Sequence, residues 1–260
     1  MCTLVALDRC TRDAPLWIAA NRDEYLDRPS DGPALRAGRD GALVVAPLDR
    51  RAGGTWWGVN RAGVFAAVTN RPSAAPDRSR RSRGQLVLDV LAAASAREAA
   101  AVAAALGPDL YNPFNLFAAD GRDAFAVVYE GAPRRVALEP GVHVIGNVDP
   151  NAVEVGKIAD TRARAQAVAQ GPAEAIADGL AEILRVHDTS GDPLAGVCVH
   201  RGGYGTRSST LLRLGAERGW LWHADGPPCT TAYRDFSPLL AELGHAVGPR
   251  PGELAARIAS

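Results

Sequence analysis

The grouping of strands limits most strongly what this chain can fold into. Short apolar runs come in pairs joined by polar turns, and helical stretches fall between the pairs. Residues 2–8 (CTLVALD) and 16–20 (LWIAA) form the first pair, and the polar segment between them suits a hairpin. Residues 54–60 (GTWWGVN) and 63–70 (GVFAAVTN) repeat the pattern. Asn60 opens their turn, and Gly63 can take a positive φ there at little cost. Further strands are read at 114–119, 124–129, 135–138, 142–145, 196–200, 208–214 and 219–223. Alanine-rich amphipathic helix covers 84–106, and a second helical region runs over 153–186 with a break near Gly171 and Pro172. Residues 29–41, rich in proline, glycine and charge, and residues 71–83, polar with Pro72, Pro76 and a run of arginines, read as surface loops. A doubly wound parallel sheet would alternate single strands with helices; strands in runs favour antiparallel pairing. The expectation is an α+β chain, with two mostly antiparallel sheets face to face and helices outside.

Several function classes drop out on composition. The 29 basic and 29 acidic residues cancel, which removes the electrostatic case for nucleic acid. No window approaches the roughly 20 apolar residues of a membrane span. Asp8 and Arg9 interrupt the first apolar run before it could serve as a signal peptide. The cysteines are Cys2, Cys10, Cys198 and Cys229, and none forms a CxxC pair, so the spacing announces no metal site. Reduced thiols, a cytoplasmic chain, no cofactor and one domain over 1–260 are expected. Lys157 is the only lysine among 29 basic residues, which reads as coding bias.

Chemistry concentrates near the start. A small residue at position 2 permits removal of Met1, and the new terminus would carry a thiol and a free α-amine on one residue. That amine has a reference pKa of about 7.7–8, so part of it is neutral at physiological pH. It can take the thiol's proton and later return it to a leaving group, making Cys2 nucleophile and base together. The block Asn21-Arg22-Asp23-Glu24 directly follows the second apolar run. In a hairpin with residues 2–8 it would end beside Cys2, where an arginine and carboxylates could tune the α-amine.

The ordered blocks MCTLVAL, AANRDEYLDRP, AGGTWWGVNRAGVFAAVTNRP, SRGQLVLDVL, YNPFNLFAAD, VIGNVDPN and YGTRSST closely resemble the NRDE family, also called the transport and Golgi organisation protein 2 family. The likeness spans residues 1–210. That family in turn resembles the N-terminal-nucleophile hydrolases, which implies a four-layer αββα sandwich. By this resemblance Cys2 falls on the nucleophile, and Arg22 and Asp23 fall beside it, with Glu24 a rival for the acidic place. Asn70 and Asn147 fall where the related amidases keep oxyanion-hole donors, a task that suits non-titrating amides. Asn21, Glu24, Trp57 and Arg207 are the expected substrate contacts. Arg207 could orient a carboxylate or brace the site. Where the family carries an aromatic residue and a proline before a lysine, this chain has AVEVGKIAD.

Two functions follow. One is hydrolysis of an amide, ester or thioester of a small acylated metabolite through a Cys2 acyl-enzyme. The other is non-catalytic handling of haem or of acyl-CoA and lipids. Cys198 and His200, two apart on an expected strand, would share a face and could offer haem a ligand.

Overall fold

The computed structural model describes residues 2–74, 76–188, 191–192, 194–216 and 219–248. The chain opens with β1 (Thr3–Asp8) and β2 (Leu16–Tyr25), then builds β3 (Ser30–Ala37), β4 (Leu43–Asp49), β5 (Trp57–Asn60) and β6 (Phe65–Asn70). Helices α1 (Arg83–Val90) and α2 (Ala96–Ala104) follow, and then β7 (Phe114–Ala119), β8 (Ala124–Tyr129), β9 (Pro133–Leu138) and β10 (Gly141–Ile145). Helices α3 (Gly156–Gln170) and α4 (Ile176–Leu184) come next. The last elements are β11 (His200–Arg201), β12 (Tyr204–Leu214), β13 (Trp220–Ala224), β14 (Arg234–Asp235) and α5 (Ser237–Leu243). One sheet has the order β10-β1-β2-β12-β13-β14, with β11 also on β12, and the other runs β3 to β9 in sequence order. The named strands pair antiparallel in both.

Alternation along the strands builds the layers. In β1, Leu4 and Ala6 face the second sheet and pack with Val45, Trp57, Val59 and Phe65. Val5 and Leu7 face the other way, onto Ile158 and Ala165 of α3 and Leu180 and Leu184 of α4. The outer face of the second sheet carries Ala66, Leu116 and Val127 against Leu86 and Val90 of α1 and Ala99 and Ala103 of α2. Central strands such as β1, β6, β7 and β8 are thus buried on both faces, as a sheet between layers requires. The result is an αββα sandwich. No helix among the described residues is long and apolar enough to cross a membrane.

Three local expectations change. Residues 29–41 are largely a strand, not a loop: β3 pairs with β4, and the register shifts between Asp31 and Ala34. As the sheet's edge, β3 can hold Gly32 and Pro33 at that irregularity. The helix read over 84–106 is two helices. Ser95 caps the second by accepting from the Glu98 amide at 3.2 Å, while Glu98 Oε2 accepts the Ala94 amide at 2.9 Å. The strand read at 196–200 reduces to the two residues of β11.

Tight glycine contact joins two sequence blocks. A Cβ on Gly54 would lie 2.4 Å from the carbonyl carbon of Gly84, and the Thr55 amide donates to the Gly84 carbonyl at 3.1 Å. Only glycine lets the 54–57 segment cross the start of α1 this closely.

One buried histidine makes stability depend on pH. His223 is 1 % exposed, its Nδ1 is 3.0 Å from Thr210 Oγ1, and burial pushes its imidazole down to about 3. The unfolded chain takes up this proton below about pH 6.5 and the folded chain does not, so stability falls as pH drops through that window. From neutral pH to pH 5 the loss is about 2 kcal/mol. His143, also pulled down by burial, adds in the same direction. Denaturant midpoints at pH 7 and 5 check this, and His223→Gln is expected to flatten the difference.

Candidate active site

The β1–β2 register places Thr3 opposite Asn21, which brings Cys2 beside Arg22. Cys2 shares the parity of Leu4 and Ala6, so it faces the second sheet. A cavity of about 690 Å³ opens there, with Cys2, Arg22, Glu24, Trp56, Asn70 and Arg83 in its wall. The NRDE block does not follow β2 but lies within it, because β12 pairs along its whole length as far as Tyr25. Its side chains therefore alternate. Arg22 and Glu24 take the cavity side, and Asn21 takes the opposite face.

The Cys2 Sγ lies 3.8 Å from the Asp23 carbonyl oxygen. Burial raises the thiol pKa above its ordinary value; the Asp23 charge adds to this and the Arg22 charge opposes it. Cys2 is therefore a thiol at neutral pH and needs a base to become a nucleophile. Met1, whose removal would free the α-amine, lies outside the described residues.

Two arginines set the charge of the cavity. Arg22 is 5 % exposed, its guanidinium lies 4.2 Å over the Trp56 ring, and Nη1 is 3.3 Å from Ser30 Oγ. Arg83 donates to the Pro113 carbonyl at 3.0 Å. Burial lowers both pKa values, and both feel the Cys2 charge, so both flank the thiol. Neither forms an ion pair among the described residues. Four other arginines of the wall are paired: Arg28 with Asp49 at 2.5 Å, Arg81 with Asp89 at 2.6 Å, Arg80 with Asp109 at 3.0 Å and Arg51 with Asp27 at 3.7 Å. Arg78, also without an ion pair among the described residues, is exposed at the rim. Arg22 and Arg83, the two that flank the thiol, can receive an anion.

Behind the thiol, Asp23 Oδ1 accepts from Thr206 Oγ1 at 2.7 Å, and its main-chain carbonyl accepts from Tyr204 Oη at 3.1 Å. Burial raises its carboxyl pKa, with Lys157 and the Thr206 hydrogen bond acting against the shift. Lys157 Nζ is buried without a hydrogen-bond partner among the described residues. Its pKa is lowered by burial, while the charges of Asp23 and Cys2 raise it. The only lysine of the chain thus stands in electrostatic reach of the thiol.

The two asparagines come together. Asn70, at the end of β6, lines the cavity with Cys2. Asn147 Nδ2 donates to the Asn70 main-chain carbonyl and is not part of the cavity wall. A buried network fixes the turn that carries Asn147. Asn115 Nδ2 donates to the carbonyls of Gly146 at 3.0 Å and Val148 at 2.7 Å, and Thr69 Oγ1 donates to Gly146 at 2.5 Å. Asn151 closes the turn at φ 60°, with its Oδ1 accepting the Val144 amide at 2.9 Å.

Other expected contacts lie elsewhere. Asn21 Nδ2 donates to the carbonyls of Leu184 at 2.8 Å and Val197 at 3.0 Å, which ties β2 to the end of α4. Trp57 is 1 % exposed and stacks on Phe65 in the core between the sheets. Asn21 and Trp57 border only a cleft of about 20 Å³ beneath Cys2. Its neighbour Trp56 forms the cavity wall instead. Arg207 is the extra residue where the β12 register shifts between Thr206 and Ser208, its Nε is buried without a hydrogen-bond partner among the described residues, and it lies outside the wall. Arg83, Trp56, Lys157, Thr206 and Asn115 were not singled out for the site from sequence. Solitary Lys157 alone carried a visible signal.

The Transport and Golgi organisation 2 family pattern matches residues 1–220. A human transport and Golgi organization protein 2 homolog is 29% identical over 231 residues, covering 78% of this chain and 83% of that protein. The mouse homolog is 28% identical over 230 residues, with the same coverage. Among solved structures, a Caenorhabditis elegans N-acylethanolamine-hydrolyzing acid amidase ortholog superposes with a TM-score of 0.53 at 15% identity, over 82% of this chain and 92% of that one. A mutant conjugated bile acid hydrolase from Clostridium perfringens gives 0.50 at 14% identity, over 92% and 93%. At such identities these structures speak to fold alone, and the fold they share is the N-terminal-nucleophile hydrolase sandwich. The chain is thus a member of the Transport and Golgi organisation 2 family, built on that sandwich.

Proposed function

We propose that the chain hydrolyses an amide, ester or thioester bond of a small acylated metabolite that carries an anionic group, working in the cytoplasm with Cys2 as nucleophile. The observation that carries this reading is the Cys2 thiol facing a cavity beside Arg22 and Arg83, which form no ion pair among the described residues. With Met1 removed, the neutral α-amine of Cys2 takes the thiol proton, and the thiolate adds to the substrate carbonyl carbon. The Asn70 side-chain amide donates to the oxyanion. Asn147, which lies behind the wall, holds Asn70 in place through its main-chain carbonyl. Collapse breaks the bond to the leaving group, which takes its proton from the α-ammonium. Water, deprotonated by the α-amine, then attacks the thioester; the acid leaves and the thiol is restored. Arg22 and Arg83 hold the anionic group, and Trp56 offers the acyl chain an apolar wall.

A panel of N-acyl amines, with and without a carboxylate or phosphate on the leaving side, tests this. Anionic members are expected to show about 10- to 100-fold higher kcat/KM, and Arg83→Gln is expected to erase the preference mainly through KM. No turnover of any member would sink the reading. A binding-only function draws on the same two arginines, which could hold the phosphates of acyl-CoA or the propionates of haem. Ligand affinity equal in wild type and Cys2→Ala, with no turnover, would select it.

A further inference from the structure

Three segments that take no part in the proposed hydrolysis meet at one edge of the first sheet. His187 lies just beyond α4, Cys198 lies just before β11 and His200 opens it, and Cys229 lies in the connection from β13 to β14. The Cys198 amide donates to the Val186 carbonyl at 2.9 Å, and Arg185 Nε donates to the Pro228 carbonyl at 3.1 Å. One main-chain bond and one arginine side chain therefore hold the segments side by side. One ligand atom from each of His187, Cys198, His200 and Cys229 lies within 4.8 Å of all the others.

We propose that these four residues form a structural zinc(II) site. The spacings are those of a coordination shell. Cys198 Sγ and Cys229 Sγ are 3.6 Å apart, Cys198 Sγ and His200 Nε2 3.7 Å, and His200 Nε2 and Cys229 Sγ 3.2 Å. Tetrahedral zinc, with Zn–S near 2.3 Å and Zn–N near 2.0–2.1 Å, sets two sulfurs about 3.8 Å apart and sulfur from nitrogen about 3.5 Å. A disulfide would instead need the sulfurs to close to about 2.05 Å. Two thiolates and two neutral imidazoles are the soft, tetrahedral donor set that selects zinc over hard oxygen-seeking cations. Four protein ligands leave no open position, so the ion braces the fold and does no chemistry. Two thiol protons go to solvent on binding, and the two thiolates balance the ion's charge.

The brace would reach the proposed active site through one residue. The Thr206 amide donates to the Val199 carbonyl at 2.8 Å, Thr206 Oγ1 accepts the Val199 amide at 2.9 Å, and the same hydroxyl donates to Asp23. Fixing the segment 198–200 thus fixes the partner of Asp23. Sequence spacing hides the site because only Cys198 and His200 are close in the chain, and the earlier expectation of no metal rested on that spacing.

The test uses the full chain, stripped of metal under reducing conditions and titrated with zinc(II) against a chromophoric chelator. One zinc per chain is expected, and cobalt(II) in its place should show the visible bands of a tetrahedral site with thiolate ligands. Cys229→Ser and His200→Ala, at positions that are not fully buried, should each weaken zinc binding at least 100-fold with the circular dichroism spectrum kept, and Cys10→Ser should not change it. A reduced wild-type chain that takes up no zinc overturns the proposal, as does stoichiometric binding that survives both variants. Loss of two mass units through a Cys198–Cys229 disulfide, in a chain that binds no zinc when reduced, also overturns it in favour of a simple thiol pair.

Discussion

Cys2→Ala is expected to fold as the wild type does and to lose hydrolysis of every substrate the wild type turns over, by at least about 10³-fold in kcat/KM. The size of the loss follows from the chemistry: no other thiol lies in the cavity wall, so no neighbouring group can replace the attacking sulfur. Folding is spared because Cys2 precedes the first paired residue of β1 and is only part-buried. Acid quench during turnover, followed by intact mass and peptide mapping, should find the acyl group on residue 2 of the wild type and nowhere in the variant. Activity within tenfold of wild type, or an acyl adduct elsewhere, would remove Cys2 as the nucleophile.

The architecture was largely legible because hydrophobic alternation is a local signal. Val5 and Leu7 against Leu4 and Ala6 announce a strand covered on both faces, and the helix break at Gly171 and Pro172 is written in two residues. Two things were not local. The extent of β2 depends on its partner: Arg22, Asp23 and Glu24 are poor strand residues alone, yet β12 pairs with them to Tyr25, so tertiary pairing overrides propensity. The identity of the cavity wall depends on which face each residue takes. The resemblance brought Cys2, Arg22, Asp23 and Asn70 to one place, but Trp56 displaced Trp57, and Arg83 came from the start of a helix 81 positions from Cys2. That long-range approach depends on Gly54 meeting Gly84, a contact that only the fold reveals.

The second large effect concerns the terminus itself. A chain with one residue kept ahead of Cys2 has a peptide nitrogen in place of the α-amine, and a peptide nitrogen accepts no proton at neutral pH. Loss of a positioned general base costs about 10²–10⁴-fold, and a protease-liberated Cys2 terminus should exceed the extended chain by that factor. The pH profiles should differ as well. In the liberated chain kcat/KM rises with pH as the α-amine loses its proton, near its reference pKa of about 7.7–8. Arg22 beside Cys2, and Lys157 within electrostatic reach of it, favour the neutral amine, while Asp23 favours the charged one. That limb should be absent from the extended chain. Steric blocking would also slow the extended chain, and alkylation by iodoacetamide separates the two causes. A blocked cavity slows alkylation at every pH. A missing base leaves alkylation at high pH intact, and it falls away at neutral pH because burial holds the thiol protonated. Equal hydrolysis by both chains, with the same rising limb, would place the base on another residue, and Lys157 and Asp23 would then be the groups to replace.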